Sequence, residues 1–129
     1  MRLLLDTHIW LWALLEPDRL DAPTARRLEQ ADSELWLSPV SVWEAMLLAE
    51  RGRLELDRAP GPWFEAALRQ VPLRDAPLTR EVAVASRSVG LAHEDPADRF
   101  LAATAQVYDL VLVTADERLR TGSGYQILR

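Results

Sequence analysis

The sequence predicts an α/β protein with a parallel sheet covered by helices on both faces, and three observations carry that prediction. Short apolar runs alternate along the chain with stretches of helical periodicity. The run LVLV at 110–113 is apolar at every position, as suits a strand buried on both faces. Acids follow the apolar runs: Asp6 comes directly after LLL, and Asp116 closely follows LVLV. In an open α/β sheet ligands bind beyond the carboxyl ends of the strands, which is where these two acids fall.

The elements follow in order. Residues 2–5 form the first strand, and Thr7 or Asp6 caps a helix carrying Trp10, Leu11, Leu14 and Leu15. Asp21-Ala22-Pro23 opens a second helix, and 35–37 is a second strand. Ser38-Pro39 starts a third helix, which holds Trp43, Glu44 and Met46 and is stopped by Gly52. Pro60-Gly61-Pro62 reads as a loop before a helix with Trp63, Phe64, Ala67 and Leu68. A third strand is expected at 71–73, then a helix over 79–89 ended by Gly90. Asp95 caps the next helix, with Pro96 at its first position and Asp98 in its first turn. After the strand at 110–113, Asp116 can cap a short helix over 117–120, and 125–128 closes the sheet as an edge strand.

With 129 residues, 49% of them hydrophobic, residues 1–129 are expected to form one domain. A domain of this size buries about two-thirds of its unfolded surface and needs no disulfides. There is no cysteine, which excludes thiol catalysis and thiolate metal sites and points to a reducing compartment. Asp6 and His8 interrupt the apolar N-terminus, no cleavage pattern follows, and no apolar run approaches the ~20 residues of a membrane span. A cytoplasmic protein without membrane contact is expected. The net charge of −5 has the wrong sign for nucleic-acid binding through bulk electrostatics, although neutralising four clustered acids would bring it near balance. Every basic residue is arginine, so no mechanism that needs lysine is open.

Asp6, Glu44, Asp98 and Asp116 each have a local structural reading: Asp6 and Asp116 as helix caps, Glu44 in a Ser41-x-x-Glu44 capping box, Asp98 as the third residue after a cap. Together, two acids end strands and two lie in early helix turns, all consistent with one edge of the sheet. Three or four carboxylates suit Mg²⁺ or Mn²⁺ rather than zinc, and such an ion acidifies water and neutralises phosphoryl charge. The chemistry this predicts is phosphodiester hydrolysis. The order LLLDTH, SVWEAMLL, DPADRFLAATA, LVTADERL resembles the PIN-domain ribonucleases, and within them the VapC-type toxins of bacterial toxin–antitoxin pairs. The resemblance spans nearly the whole chain and rests on the order and spacing of the four acids. It implies an α/β/α sandwich with a central parallel sheet and a metal-dependent endoribonuclease acting on RNA. It also implies a homodimer and inhibition by a small antitoxin protein. Asp6, Glu44, Asp98 and Asp116 take the catalytic, metal-binding positions, and Thr114 the small polar position before the last acid. Asp95 and Glu117 are candidates for the outer shell of the metal.

Other residues admit two readings. His8 and His93 read first as neutral histidines bonded to nearby loops, second as general bases. Arg99 reads as an ion-pair partner for a neighbouring acid before it reads as a phosphate contact. The five tryptophans are core or interface residues before they are stacking platforms for bases. Trp10, Leu11, Trp12, Leu14 and Leu15 are too many for one core-facing stripe, so part of this helix should form an interface with a second copy or with an amphipathic antitoxin segment. A receiver domain would require paired acids and a lysine, and a haloacid-dehalogenase-type phosphatase would require D-x-D where this chain has Asp6-Thr7-His8; both fail on residues. No Gly-rich phosphate loop is present. A deoxyribonuclease and an inactive PIN-like binding module remain as alternatives.

Overall fold

A computed structural model describes residues 1–128; Arg129, the last residue of the expected domain, lies outside them. Five strands, β1 (Arg2–Leu5), β2 (Glu34–Leu37), β3 (Arg74–Asp75), β4 (Val111–Val113) and β5 (Gln126–Ile127), form one sheet in the order β3-β2-β1-β4-β5. Every pairing is parallel. The chain lays β2 and β3 on one side of β1 and returns to lay β4 on the other, so the sheet switches direction between β1 and β4. The carboxyl ends of those two central strands are therefore where a crevice is expected.

The helices are α1 (Thr7–Leu15), α2 (Ala22–Glu29), α3 (Pro39–Glu50), α4 (Pro60–Gln70), α5 (Arg80–Ala85), α6 (Pro96–Tyr108) and α7 (Glu117–Arg120). Alternation along the buried strands divides the core in two. Leu3, Leu5 and Val113 pack on one face with Trp10, Leu11, Ala45 and Phe64; Leu4 and Leu112 pack on the other with Ala102, Ala105 and Leu119. Two cores on opposite faces of one sheet make the three-layer α/β/α arrangement expected from the sequence.

Several local expectations are corrected. The third strand is Arg74–Asp75, not 71–73: Pro72 has no N–H to give a ladder, and Arg74 and Asp75 pair with Trp36 and Leu37 instead. Pro60, Gly61 and Pro62 are not a loop but the first turn of α4, where a missing N–H costs nothing. Asp6 caps α1, which releases the Thr7 side chain for a distant contact. The Ser41-Glu44 capping box does not form, because Ser38 is the cap of α3 and accepts from the Val40 N–H. Helix α5 ends at Ala85, short of 89. Ser86 and Ser88 turn back onto the carbonyls of Ala83 and Ala85, and Arg99 draws off those of Ser86 and Val89. Gly90 consequently ends no helix; it lies in an antiparallel bridge with Ser123. Gly52, by contrast, has the left-handed φ of +70° that a stop after α3 requires.

Candidate functional site

The four acids come from four different elements and gather at the carboxyl edge of the sheet, three of them through hydrogen bonds and Asp98 through an ion pair with Arg118. Asp6 closes β1 and is 7% exposed. Its Oδ1 accepts the Thr7 backbone N–H at 2.7 Å, and its Oδ2 accepts the Thr114 hydroxyl at 2.6 Å. Thr114 follows β4, and its Oγ1 in turn accepts the Asp116 N–H at 3.1 Å, so the two central strands are tied together through a threonine. On the other side the Thr7 hydroxyl donates to Glu44 Oε1 at 2.5 Å and lies 3.0 Å from the buried Ser41 Oγ. This contact joins α1 to α3 and brings Glu44 to the same edge.

Asp98 enters from the first turn of α6, where the Asp95 side chain caps the helix by accepting the Asp98 N–H at 3.1 Å. His93 Nε2 stands 2.9 Å from Asp98 Oδ2. When Asp98 is ionised its carboxylate only accepts, and the proton of this contact then sits on His93 Nε2. The Arg118 guanidinium bridges the remaining gap, 3.6 Å from Asp98 Oδ2 and 3.3 Å from Asp116 Oδ2. Asp116 also caps α7, accepting the Arg118 N–H at 2.8 Å.

The electrostatics follow from this crowding. Burial pushes the carboxyls of Asp6, Glu44 and Asp98 above their ordinary range, against the hydrogen bonds from Thr114 and Thr7 on Asp6, Thr7 on Glu44 and His93 on Asp98. Neighbouring carboxylates push the same way: Asp98 on Asp6, Asp6 and Asp98 on Glu44, Asp95 and Asp116 on Asp98. Asp116 is desolvated too, but the side chain, backbone N–H and charge of Arg118 outweigh that and hold it below the usual range. Three acids thus resist ionising together, and the site gains from any cation that enters.

Chemically the donors fit a hard divalent ion, being carboxylate oxygens backed by hydroxyls. Oε2 of Glu44 and Oδ1 of Asp98 accept none of the hydrogen bonds formed among the described residues. As they stand, no three acidic or histidine side chains among the described residues close around an ion. Arg118 supplies the positive charge between Asp98 and Asp116, and its side chain is 60% exposed and free to leave.

The remaining candidates separate clearly. Thr114 is integral to the network. Asp95 meets Asp98 only as its helix cap, accepting its backbone N–H, and Glu117 is exposed with Arg120 3.9 Å away, so neither is hydrogen-bonded to the carboxylates of the four acids. His93 bonds an acid rather than a loop, a role its position five residues before Asp98 did not disclose. His8 is exposed beside the Trp12 ring. Arg99 is neither an ion-pair partner nor available to phosphate; it is buried and donates only to backbone carbonyls. The sequence marks Thr7 only as a candidate helix cap and does not mark Arg118 at all, since nothing local identifies a cap-like threonine or a helix-surface arginine as a neighbour of distant acids.

In helix α1, Trp10 and Leu11 enter the core, whereas Trp12, Leu14 and Leu15 are half-buried. Leu11, Trp12 and Leu15 line a groove with Leu48 and Leu54, and Arg19 stacks on the Trp12 ring at 4.4 Å.

A family model for the PIN domain matches residues 3–123. The chain is similar to the ribonuclease VapC22 of Mycobacterium tuberculosis, 36% identical over 121 residues that cover 92% of this chain and 89% of the relative. Its fold is similar to that of VapBC2 from Rickettsia felis bound to a promoter DNA fragment, with TM-score 0.74, 14% identity and coverage of 99% of this chain and 98% of that one. The DNA-bound VapBC of Salmonella typhimurium is similar as well, with TM-score 0.68, 17% identity and coverage of 99% and 97%. The switch point between β1 and β4, the acids gathered there and the family match agree: the chain belongs to the PIN domain family.

Proposed function

We propose that this chain, folded as one domain, is the toxin of a toxin–antitoxin pair, an endoribonuclease that hydrolyses RNA phosphodiester bonds with Mg²⁺ or Mn²⁺. The observation that carries the reading is the linkage of Asp6, Glu44, Asp98 and Asp116 through Thr7, Thr114 and Arg118 at the switch point of the sheet. The similarity to a ribonuclease over most of the chain supports it. The four acids would hold the ion, which when bound supplies charge for a phosphoryl oxygen and an acidified water. The chain's own residues do the rest. Thr7 and Thr114 hold Asp6 by both oxygens and Thr7 fixes one oxygen of Glu44, so the carboxylates are oriented before substrate arrives. Arg118, released from Asp98 and Asp116 when that charge is met otherwise, is placed to pair with a backbone phosphate.

The half-buried groove along α1 supports an antitoxin partner, whose amphipathic segment would cover Trp12 and Leu15 and extend a cation toward the acids. Trp43, 57% exposed on α3, and the apolar groove it lines with Val42, Leu68 and Leu73 support a homodimer. The absence of cysteine and of any helix among the described residues long and apolar enough to cross a membrane suits a cytoplasmic setting.

Single-stranded RNA and DNA of matched sequence, each incubated with Mn²⁺ and with EDTA, test the proposal. RNA cleavage is expected only with the metal, with Asp6→Asn losing at least about a hundred-fold of it while still folding. Equal cleavage in EDTA, or undiminished cleavage by Asp6→Asn, would end the metal mechanism. Preferential cleavage of DNA would make the protein a deoxyribonuclease, and a folded protein that binds an antitoxin yet cuts neither polymer would make it a binding module.

A further inference from the structure

Among the described residues Arg99 is the one buried arginine, at 5% exposure, and it forms no ion pair with any of them. A buried guanidinium is costly unless its donors are satisfied, and here backbone carbonyls satisfy them. Nε donates to Ser86 O at 2.8 Å, one terminal nitrogen to Leu91 O at 3.0 Å and His93 O at 3.1 Å, and the other to Val89 O at 3.5 Å. The whole connection from α5 to α6 is wrapped around this planar fork.

The last of the four residues so held is the one whose ring meets the acids. With its carbonyl on Arg99, His93 turns Nε2 to 2.9 Å from Asp98 Oδ2. Asp98 is the residue before Arg99 on α6, so the helix that supplies the acid also pins the loop that orients it. A loop staple alone would need no such terminus; apolar packing would hold the segment without burying a charge.

We propose that Arg99 is a positioning residue of the acidic site: by fixing the His93 backbone it holds the His93 ring on Asp98 Oδ2, which leaves Asp98 Oδ1 directed to a divalent ion. The proposal rests on the nuclease reading of the four acids for its metal consequence, but not for the contact between His93 and Asp98.

Two measurements test it. Arg99→Lys keeps the charge but loses the planar five-donor fork, so it cannot hold all four carbonyls. In metal-free protein, ¹⁵N NMR of the imidazoles reports the state of His93, and assignment is simple because the chain has 2 histidines. A carboxylate-bonded Nε2–H is expected in the wild type and its loss in Arg99→Lys, with thermal unfolding still cooperative. In the second arm, Mn²⁺ titration should give a loss of about ten-fold or more for Arg99→Lys and for His93→Ala, and no further loss in the double variant. A folded Arg99→Lys with an unchanged His93 signal, or losses that multiply in the double variant, would overturn the proposal. If Arg99→Lys does not fold, Ala92→Gly loosens the exposed link between the two clamped carbonyls instead; His93 signal and Mn²⁺ affinity identical to wild type would then overturn it. A wild type that binds no Mn²⁺ would overturn the nuclease reading, while the NMR arm still decides whether Arg99 holds His93 on Asp98.

Discussion

Arg118 shows how much one exposed side chain can matter in this site. Its guanidinium lies 3.3 Å from Asp116 and 3.6 Å from Asp98, while the side chain is 60% exposed. Ion pairs so open to solvent add little to stability. Their effect on a competing cation is larger, because a divalent ion must displace the arginine before it gains the same oxygens. Arg118→Ala should therefore leave thermal stability nearly unchanged and tighten Mn²⁺ binding several-fold, as read by titration in the absence of RNA. Equal affinity in variant and wild type would mean that the arginine does not compete with the ion. Asp6, Asp98 and Asp116 each combine a place in the network with a local duty as a cap or in a first helical turn. Such duties made each acid look ordinary when read alone.

Among the elements, the junctions carry the strain. Helix α6 is followed by its C-terminal cap Asp109, whose φ of 54° is left-handed, a region where L-residues lose energy and glycine does not. Asp109→Gly should stabilise the protein by up to about 1 kcal/mol, seen as a higher urea midpoint with an unchanged slope. Gly90 has the opposite requirement. A Cβ there would fall 2.6 Å from the Ser123 carbonyl oxygen and closer still to Ser123 Oγ. Two hydrogen bonds, of 3.2 and 3.0 Å, hold the backbones in place, so Gly90→Ala should destabilise by about 1–3 kcal/mol. A neutral result in a denaturant titration would show that the bridge yields easily. The bridge anchors the same α5–α6 connection that Arg99 organises, which gives this irregular segment two independent fastenings.

For the molecule as a whole, the acids make stability run against the usual pH trend. Burial, reinforced by neighbouring carboxylates, raises Asp6, Glu44 and Asp98 above their unfolded values, so each binds its proton more tightly in the folded state. Their contribution is fully present below the unfolded carboxyl pKa near 4 and is lost as pH rises through the folded values. Asp116 and Asp21 are lowered and act in the opposite sense, losing their contribution as pH falls. Between about pH 4 and neutrality, metal-free protein should lose melting temperature with rising pH. Asp6→Asn should flatten that slope and melt higher than wild type at pH 7. Saturating Mg²⁺ or Mn²⁺ should restore wild-type stability at pH 7. A wild-type melting temperature that climbs steadily over this range without metal would contradict this account of buried, crowded carboxyls.

What the amino-acid order determined by itself was the kind and succession of elements. The apolar runs, the caps Asp21, Asp95 and Asp116, Pro39 and Pro96 at helix starts and Gly52 at a helix end are local signals, and periodicity with turn chemistry is enough to read them. They yielded the alternating strands and helices, the parallel sheet and the placing of Asp6 and Asp116 beyond strand ends. The sequence placed the third strand wrongly, because an apolar run competes with ladder pairing and only the neighbour β2 selects Arg74 and Asp75. Tertiary structure alone decided that Thr7 meets Glu44, that Thr114 ties Asp6 to Asp116 and that Arg99 turns inward to a loop instead of outward to an acid. These contacts join residues far apart in the chain. Which distant donors and acceptors meet depends on the strand order and on the cost of leaving a buried polar group unpaired, and neither leaves a mark in the local pattern.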